Sequence, residues 1–195
     1  MRKAVAGLGL ALLLAAPAAA DFEADVVAVQ REQFETARQE FQAAHAAGDA
    51  RGTFMLGMMA EQGWGAPADN AAAAAWYRQA AEAGLASAQF NLGMIYVDGR
   101  GTEQDFGQAL RLFSQAAEQG HAGAMNNLGS MYDNGYGVPI DKVEALKWYT
   151  LAAGRMKDRN ITTVHNNIVR IETQLSGAEI AEAKARTEAW KKAHP

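Results

Sequence analysis

Three carboxylates stand at a spacing that could serve general acid–base chemistry. Glu61, Asp98 and Asp133 lie near the ends of three successive predicted helices, so a regular fold would align them in an acidic row. Paired carboxylates catalyse proton transfer when a base or an aromatic subsite completes the site. The sequence places no such group beside them, and a solvated acidic face is the simpler interpretation. We therefore predict no catalytic residue.

The other side chains that commonly carry catalysis or bind metals form no recognisable site. The chain has no cysteine, which excludes thiolate metal sites and thiol catalysis. No Ser-x-x-Lys, Gly-x-Ser-x-Gly or His-Glu-x-x-His motif occurs. The histidines are far apart in the sequence: His45, His121, His165 and His194. We predict neither a metal nor a cofactor.

Pairs of glycines separated by one residue occur three times, at positions 63/65, 99/101 and 135/137. A phosphate-binding loop would need the longer Gly-x-Gly-x-x-Gly after a strand, and that motif is missing. The stretch DNGYG at 133–137 lacks the alternating acids and the closing Glu of a calcium loop. The pairs are better explained as helix ends, because glycine adopts the left-handed conformation that closes a helix.

These features belong to an internal repeat. Residues 56–84, 92–120 and 128–156 align without a gap at a period of 36 residues, and each copy predicts two helices, A and B. The first glycine of each pair ends helix A, and Asp69, Asp105 or Asp141 caps helix B. Two copies add Gln108 or Glu144 three residues later, which is a capping-box pattern.

Glycine also recurs inside helix A, where it costs about 1 kcal/mol relative to alanine. Its repetition at Gly57, Gly93 and Gly129 predicts that a neighbouring helix approaches closely there. One hairpin cannot bury both of its apolar faces, whereas stacked hairpins can. We therefore predict an all-α fold, a short right-handed superhelical solenoid of antiparallel helix hairpins.

The flanks predict helical caps. Residues 24–47 carry Phe34, Ala37, Phe41 and Ala44 at helical spacing, and 161–175 alternate apolar residues by three and four. Ser176 and Glu179 form a capping box before a final helix that carries Trp190. The predicted organisation is a signal peptide (1–20), a degenerate N-terminal helix (21–48), three repeats (49–85, 86–121, 122–157) and C-terminal capping helices (158–195).

The first twenty residues predict a cleavable secretory signal peptide. Arg2 and Lys3 precede an apolar run, 4–16, and small residues favour cleavage between Ala20 and Asp21. That run is well short of the roughly 20 residues needed to span a bilayer, so no membrane span is expected after cleavage. The whole chain has a net charge of −4. Because the chain is mildly acidic and has no basic cluster, we predict neither nucleic acid nor an anionic membrane as a partner.

The pattern Leu-Gly, Gly-x-Gly, Asp, Ala, Trp-Tyr, Ala-Ala at a 36-residue period resembles the Sel-one-like repeat, a relative of the tetratricopeptide repeat. The match covers residues 49–156, and the tail EIAEAKARTEAW is similar to the closing helix of bacterial members. The resemblance implies an adaptor that assembles protein complexes, with exported members acting as regulators or in envelope upkeep. The chain lacks the cysteines of the disulfide-linked exported branch, so its proposed beta-lactam activity is not carried over.

The resemblance also implies that the A helices line the concave surface of the solenoid. Residues off the core stripe of these helices are candidate contacts for a partner: Met55, Met58, Asn91, Met94, Asn127 and Ser130. The middle residues of the Gly-x-Gly loops form a second candidate set, because their types are enriched at interface hot spots: Trp64, Arg100 and Tyr136. The alternatives are plain core filling for the methionines and, for the loop residues, packing onto their own loops.

The expected function is a non-catalytic periplasmic adaptor or regulator that binds an envelope protein or peptide through the concave face and the loop row. An envelope hydrolase acting on peptidoglycan or a beta-lactam is the first alternative, motivated by the acidic row and the predicted export. A structural spacer in an envelope assembly is the second. The sequence itself does not identify the partner.

Overall fold

The computed structural model describes residues 33–156 and 161–194, and all regular structure in those ranges is helical. The predicted signal peptide lies outside the described residues. Nine helices follow one another in this part of the chain: α1 Phe34–Ala46, α2 Ala50–Gln62, α3 Asn70–Glu82, α4 Ala86–Asp98, α5 Phe106–Glu118, α6 Ala122–Asn134, α7 Lys142–Arg155, α8 Ile161–Glu172 and α9 Gly177–Ala193. From α1 to α8 each helix packs against its neighbour in sequence, and α9 packs against α7, which confirms the predicted solenoid of hairpins.

The three complete hairpins are α2–α3, α4–α5 and α6–α7, so α2, α4 and α6 are A helices and α3, α5 and α7 are B helices. Helix α1, the first helix in the described residues, has the residues of a B helix. Its buried Ala37, Phe41 and Ala44 precede the buried residues of α3 by one 36-residue period. It therefore covers the apolar side of α2 that a preceding repeat would cover.

The glycine inside each A helix accommodates an aromatic ring of the following B helix. A Cβ atom at these positions would lie 2.6–2.7 Å from a ring carbon, closer than van der Waals contact allows. The pairs are Gly57 with Tyr77, Gly93 with Phe113, and Gly129 with Tyr149. The predicted close approach is thus the contact that fixes the A–B packing within each repeat.

The predicted helix ends form as expected. Gly63, Gly99 and Gly135 adopt left-handed backbone conformations with φ of 72°, 67° and 76°. At the B helices the aspartate carboxylates accept backbone N–H groups: Asp69 from Ala72 at 2.9 Å, Asp105 from Gln108 at 2.9 Å and Asp141 from Glu144 at 2.8 Å. These bonds satisfy donors that a helix start leaves unpaired.

The two capping-box patterns at the B helices form only in their first half. The Gln108 side chain accepts hydrogen bonds from Arg111, and the Glu144 carboxylate contacts Lys147 and Arg186. Longer side chains have thus drawn the third residue away from the helix start. The complete box forms where Ser176 and Glu179 begin α9.

The second glycine of each Gly-x-Gly joins one repeat to the unit before it. Gly65, Gly101 and Gly137 all have positive φ, between 70° and 76°. A Cβ atom at Gly101 would lie 2.4 Å from the backbone of Asn70, the first residue of α3. At Gly137 it would lie 2.8 Å from the backbone of Phe106, the first residue of α5. Glycine is therefore required here both by backbone conformation and by contact.

Helices α8 and α9 close the C-terminal end. Val164 and Ile171 of α8 are buried, which confirms the amphipathic pattern, and α9 packs along α7. Trp190 of α9 meets Trp148 of α7 edge to face at 6.2 Å between ring centroids. Across residues 33–156 and 161–194, no helix combines the length and apolar character that crossing a bilayer requires.

Candidate partner-binding site

All three carboxylates of the acidic row, Glu61, Asp98 and Asp133, form ion pairs within the protein. Glu61 accepts a hydrogen bond from the Tyr77 hydroxyl at 2.7 Å and pairs with Arg100 at 2.8 Å. Asp98 pairs with the same guanidinium at 2.9 Å. One arginine from the loop of the second repeat therefore holds two of the three carboxylates.

Asp133 is the most buried of the three, with 1% of its side chain exposed, and it pairs with Lys142 and Arg170. Burial alone would raise the pKa of Asp133, but the hydrogen bonds from Arg170 and Lys142 outweigh it and the pKa is lowered. A carboxylate held ionised by two cations is a poor proton donor. In the part of the chain that the structure describes, no three acidic or histidine side chains cluster in a way that could hold a metal ion.

The loop residues Trp64, Arg100 and Tyr136 all turn back toward the preceding unit. The Trp64 side chain is half-buried against the core of α1 and α2, and its carbonyl accepts a bond from Arg38 at 3.4 Å. Arg100 pairs with Glu61 as described above. Tyr136 stacks on Phe106 with 5.1 Å between ring centroids, and it is the most exposed of the three at 46%.

The A-helix candidates of the first repeat and the start of the second lie largely inside the fold. Met55 is 9% exposed and belongs to the core between α1 and α2. Met58 is half-buried between two core clusters. Asn91 is half-buried and hydrogen-bonds the Tyr77 side chain. Core packing therefore accounts for Met55, and hydrogen bonding within the protein occupies Asn91.

The remaining candidates converge. A narrow cleft of about 120 Å³ between the second and third repeats is lined by residues from both predicted sets. Among its walls are Met94, Asn127, Ser130, Tyr136, Val97 and Phe106. Four of these six are residues that the sequence predicted to contact a partner: Met94 from the A helix of the second repeat, Asn127 and Ser130 from that of the third, and Tyr136 from the loop row.

A wider cleft of about 240 Å³ adjoins the narrow one, because Met94 and Asn127 line both. It continues across α4 and α6 to Val164 of α8. We call the two clefts together the A-face groove. Two amide groups of the groove lack a strong hydrogen-bond partner. The Asn126 Oδ1 is buried with no partner among the described residues. The Asn127 Nδ2 donates to the Met94 sulfur at 3.0 Å. Sulfur is a weak acceptor.

The position of the groove follows from a break in the repeat. Glu61 and Tyr77 of the first repeat correspond to Asp133 and Tyr149 of the third, whereas the second repeat has Val97 and Phe113 at these positions. Burial together with the Glu61 carboxylate raises the pKa of Tyr77, and burial beside Asp133 raises the pKa of Tyr149 to about 12. The second repeat lacks both the acid and the hydroxyl.

Each junction that has an acid at this repeat position also has an arginine that pairs with it. Arg100 crosses from the second repeat to Glu61, and Arg170 crosses from α8 to Asp133. At the intervening junction the loop contributes Tyr136, which stacks on Phe106. The first and last junctions are therefore bridged by ion pairs, whereas the middle one is apolar at this point and holds the narrow cleft.

Several groove residues were not predicted from the sequence. Phe106, Val97 and Asn126 line the groove but were not named as candidate contacts. The available signal was the departure from the repeat: Val97 stands where the other copies carry an acid. Asn126 leaves no such signal, because its missing partner is evident only in three dimensions.

Comparison with known proteins agrees with this architecture. A family model described as Sel1 repeat matches residues 50–85, 86–121 and 122–155. A search of curated proteins gives no significant match. Sel1 repeats generally mediate protein–protein interaction, and proteins of this family are typically non-catalytic scaffolds.

Two solved structures are similar to the chain. A Sel1 repeat protein from Oxalobacter formigenes is 28% identical, with a TM-score of 0.69 over 77% of this chain and 59% of that one. A protective antigen present in uropathogenic Escherichia coli strains, which displays an SLR fold, is 22% identical, with a TM-score of 0.60 over 81% of this chain and 41% of that one. The chain thus spans about half the length of these neighbours, and the second shows the fold alone. Three consecutive repeats place this protein in the Sel1 repeat family.

Proposed function

We propose that the protein is a non-catalytic periplasmic adaptor or regulator that binds a peptide segment of an envelope protein in the A-face groove. The proposal combines the predicted export signal with the protein-interaction role that is general among Sel1 repeats. It narrows the predicted contact surface to one junction, the apolar one between the second and third repeats.

The observation that carries the proposal is the pair of unmatched amide groups in the groove. A buried acceptor without a partner costs about 1–3 kcal/mol, so a ligand that draws the Asn126 amide into the groove and donates to its Oδ1 would recover that energy. The Asn127 Nδ2 would gain by exchanging the Met94 sulfur for a carbonyl oxygen. A peptide backbone offers both groups, an N–H and a C=O, at every residue.

The apolar walls supply the anchor that a peptide side chain would fill. Tyr136 and Phe106 form a stacked pair at one end, and Met94 separates the two clefts. Aromatic residues dominate binding energy at interfaces, and methionine adapts to differently shaped apolar ligands. The narrow cleft of about 120 Å³ accommodates one apolar side chain rather than a folded domain.

Peptide selection with a matched pair of variants tests this proposal. Peptides would be selected from a displayed library on the wild-type protein, and their affinities measured for Asn127→Ala and Asn91→Ala. The two asparagines occupy the same repeat position, but Asn91 hydrogen-bonds Tyr77 inside the fold. We expect Asn127→Ala to weaken binding by about tenfold, equivalent to about 1.4 kcal/mol, and Asn91→Ala to leave it nearly unchanged.

Crosslinking in intact cells from positions 64, 100 and 136 tests the same surface with the natural partner. A photoreactive residue at 136 should capture a defined protein, and those at 64 and 100 should capture less, because these side chains turn into the fold. Equal capture from all three positions would contradict the assignment to one junction. Co-purification of a partner in fixed stoichiometry would favour a structural spacer instead.

The export component has its own test. Fractionation of the native cells should find the mature protein in the periplasm, and N-terminal sequencing should begin at Asp21. A cytoplasmic protein that retains Met1 would contradict this part of the proposal and leave the groove untouched.

A further inference from the structure

A second cleft, on a different face of α4, has a chemistry unlike that of the A-face groove. It is about 490 Å³ in volume and is bounded by α3, α4 and α5. Its lining includes two arginines, Arg78 and Arg111, and the amide side chains of Gln89, Gln108 and Gln115. We call it the arginine cleft.

Both arginines of this cleft are held by neutral acceptors. Arg78 donates to the Tyr96 hydroxyl at 3.3 Å, and Arg111 donates to the Gln108 Oε1 at 3.0 and 3.2 Å. Among the described residues neither has a carboxylate within ion-pair distance. Other guanidiniums of the chain do have one, as at Arg100, Arg170 and Arg186. Neither cation is therefore neutralised by a direct ion pair with a described residue.

At the corresponding positions of the third repeat, the cation is neutralised by a carboxylate. Lys147 stands one period after Arg111, and Glu144 one period after Gln108. There the lysine pairs with Glu144, and Arg186 of α9 reaches the same carboxylate at 3.0 Å. In the second repeat the acid is replaced by an amide, and the arginine is fixed in place without being neutralised.

This arrangement fits a ligand that carries carboxylates. A guanidinium presents a planar fork of donors that matches a carboxylate, and side-chain amides add neutral donors. Glu82 also lines the cleft, so two arginines and one glutamate leave a net charge of +1. The volume lies within the range of roughly 300–1,000 Å³ that is typical of ligand sites and exceeds what one carboxylate fills.

We propose that the arginine cleft binds an acidic segment of a protein, with Arg78 and Arg111 pairing with two of its carboxylates. The occupant is a peptide rather than a free anion, because the cleft is open along the two B helices and extends beyond the two guanidiniums to Gln89 and Gln115. This surface is separate from the A-face groove and goes beyond the proposed function, so either site can fail alone.

The probe for this proposal is a fluorescein-labelled hexaglutamate peptide, followed by fluorescence anisotropy at low ionic strength. Hexaglutamine of the same length is the neutral control, and unlabelled acetate at millimolar concentration is the free-anion competitor. We expect binding of hexaglutamate only, weakening as salt is added. Equal binding of hexaglutamine, or complete displacement by acetate, would overturn the peptide assignment.

Two variants of equal net charge locate the site. Arg78→Gln with Arg111→Gln removes the cleft cations, and Lys184→Gln with Lys192→Gln removes two exposed cations of α9 that form no described ion pair. We expect the arginine variant to bind hexaglutamate at least about tenfold more weakly than the lysine variant. Equal affinities of the two variants would show that only net charge matters and would overturn the proposal.

A third variant keeps both arginines and supplies the missing acid. Gln108→Glu recreates the pairing seen at Glu144 and Lys147, so Arg111 would be neutralised internally. Hexaglutamate binding should fall by several-fold while the unfolding temperature is maintained, because an exposed helix pair changes stability little. Unchanged binding would contradict the role given to Arg111.

Discussion

The first and second repeat junctions share a backbone but differ in how their side chains close it. At the first, Arg100 crosses to Glu61, which also holds the Tyr77 hydroxyl. At the second, Tyr136 crosses to Phe106 over an apolar floor. The glycines on either side of both crossing residues all have positive φ, between 67° and 76°.

The difference teaches how a repeat protein can vary its surface without altering its fold. The glycines and capping aspartates fix the path of the chain, so the middle residue of each loop is free to change its chemistry. Where it completes an ion pair, as at Arg100, the two A helices are bridged at that point. Where it is aromatic and the acid is missing, a groove remains between the A helices.

The largest loss of stability is expected from changing the second glycine of a Gly-x-Gly loop, which both junctions share. Gly101→Ala would place a methyl group 2.4 Å from the backbone of Asn70 and force alanine to a φ of 73°. We expect a loss of about 3 kcal/mol in the free energy of unfolding, measured by denaturant titration.

Gly84→Ala is the matched control for that change. Gly84 has a φ of 89°, but nothing lies within 4 Å of the added Cβ. Gly84→Ala should therefore lose only about 1 kcal/mol in the free energy of unfolding, the cost of holding alanine at a positive φ. Equal losses for the two variants would contradict the claim that Gly101 mediates contact between repeats.

The ion-paired junction at the C-terminal end should depend on its buried carboxylate. Asp133→Asn removes the charge that Lys142 and Arg170 share, and we expect a loss of about 2 kcal/mol at pH 7. Because the folded-state pKa of Asp133 is lowered, its contribution is present above the ordinary value of 3.8 and is lost as the pH falls through the folded-state pKa.

The measurement for this prediction is the unfolding free energy of wild type and variant between pH 7 and pH 2. The difference between them should shrink at the acid end. Glu103→Gln, an exposed carboxylate with no described ion pair, is the control and should change neither value. A constant difference at every pH would show that the charge of Asp133 is not what stabilises the junction.

The two crossing residues should separate stability from binding. Arg100→Ala leaves Glu61 with only the tyrosine hydroxyl, and we expect a loss of about 1.5 kcal/mol with peptide affinity retained. Tyr136→Ala removes a stacked ring that is already 46% exposed, so it should cost no more than about 1 kcal/mol. Its peptide affinity should nevertheless fall about tenfold. If Arg100→Ala lowered peptide affinity and Tyr136→Ala did not, the roles assigned to the two junctions would be wrong.

The smallest effect concerns His121, which caps α6 between the second and third repeats. Its Nδ1 accepts the Ala124 N–H at 3.2 Å, and its ring stacks on Phe90 at 4.5 Å. Burial lowers the pKa of His121 below the ordinary 6.5, so its contribution is present above that value and declines as the pH falls through it.

His121→Asn keeps a capping acceptor and cannot be protonated in this range. We expect it to reduce the pH dependence of stability between pH 7 and pH 5. Thermal unfolding at both pH values measures this, with exposed His165→Asn as the control. An undiminished pH dependence in His121→Asn would contradict the assignment.

Much of the fold could be predicted because the residues that begin and end its helices recur in three copies of the repeat. Glycine at 63, 99 and 135 and aspartate at 69, 105 and 141 identify helix ends by local backbone chemistry, which acts within a few residues. The candidate site was predicted less completely. The A-helix positions were correctly aligned with one another, but burial differs between copies, as Met55 in the core and its counterpart Asn127 in the groove show.

The remainder depends on contacts that the local pattern does not encode. Arg100 meets Glu61 across 39 residues of sequence, and Arg170 meets Asp133 across 37. Such pairs depend on how the units stack, and a one-residue change such as Val97 redirects them. The unpaired Asn126 Oδ1 likewise results from packing against neighbouring helices.

The most direct test of the account converts the apolar junction into an ion-paired one. The triple variant Val97→Glu, Phe113→Tyr, Tyr136→Arg reproduces the residues of the first junction at the second. We predict an unfolding free energy within about 1 kcal/mol of wild type and at least about a tenfold loss of affinity for the selected peptides. A stable triple variant that binds those peptides as tightly as wild type would contradict the claim that the apolar junction is the binding site.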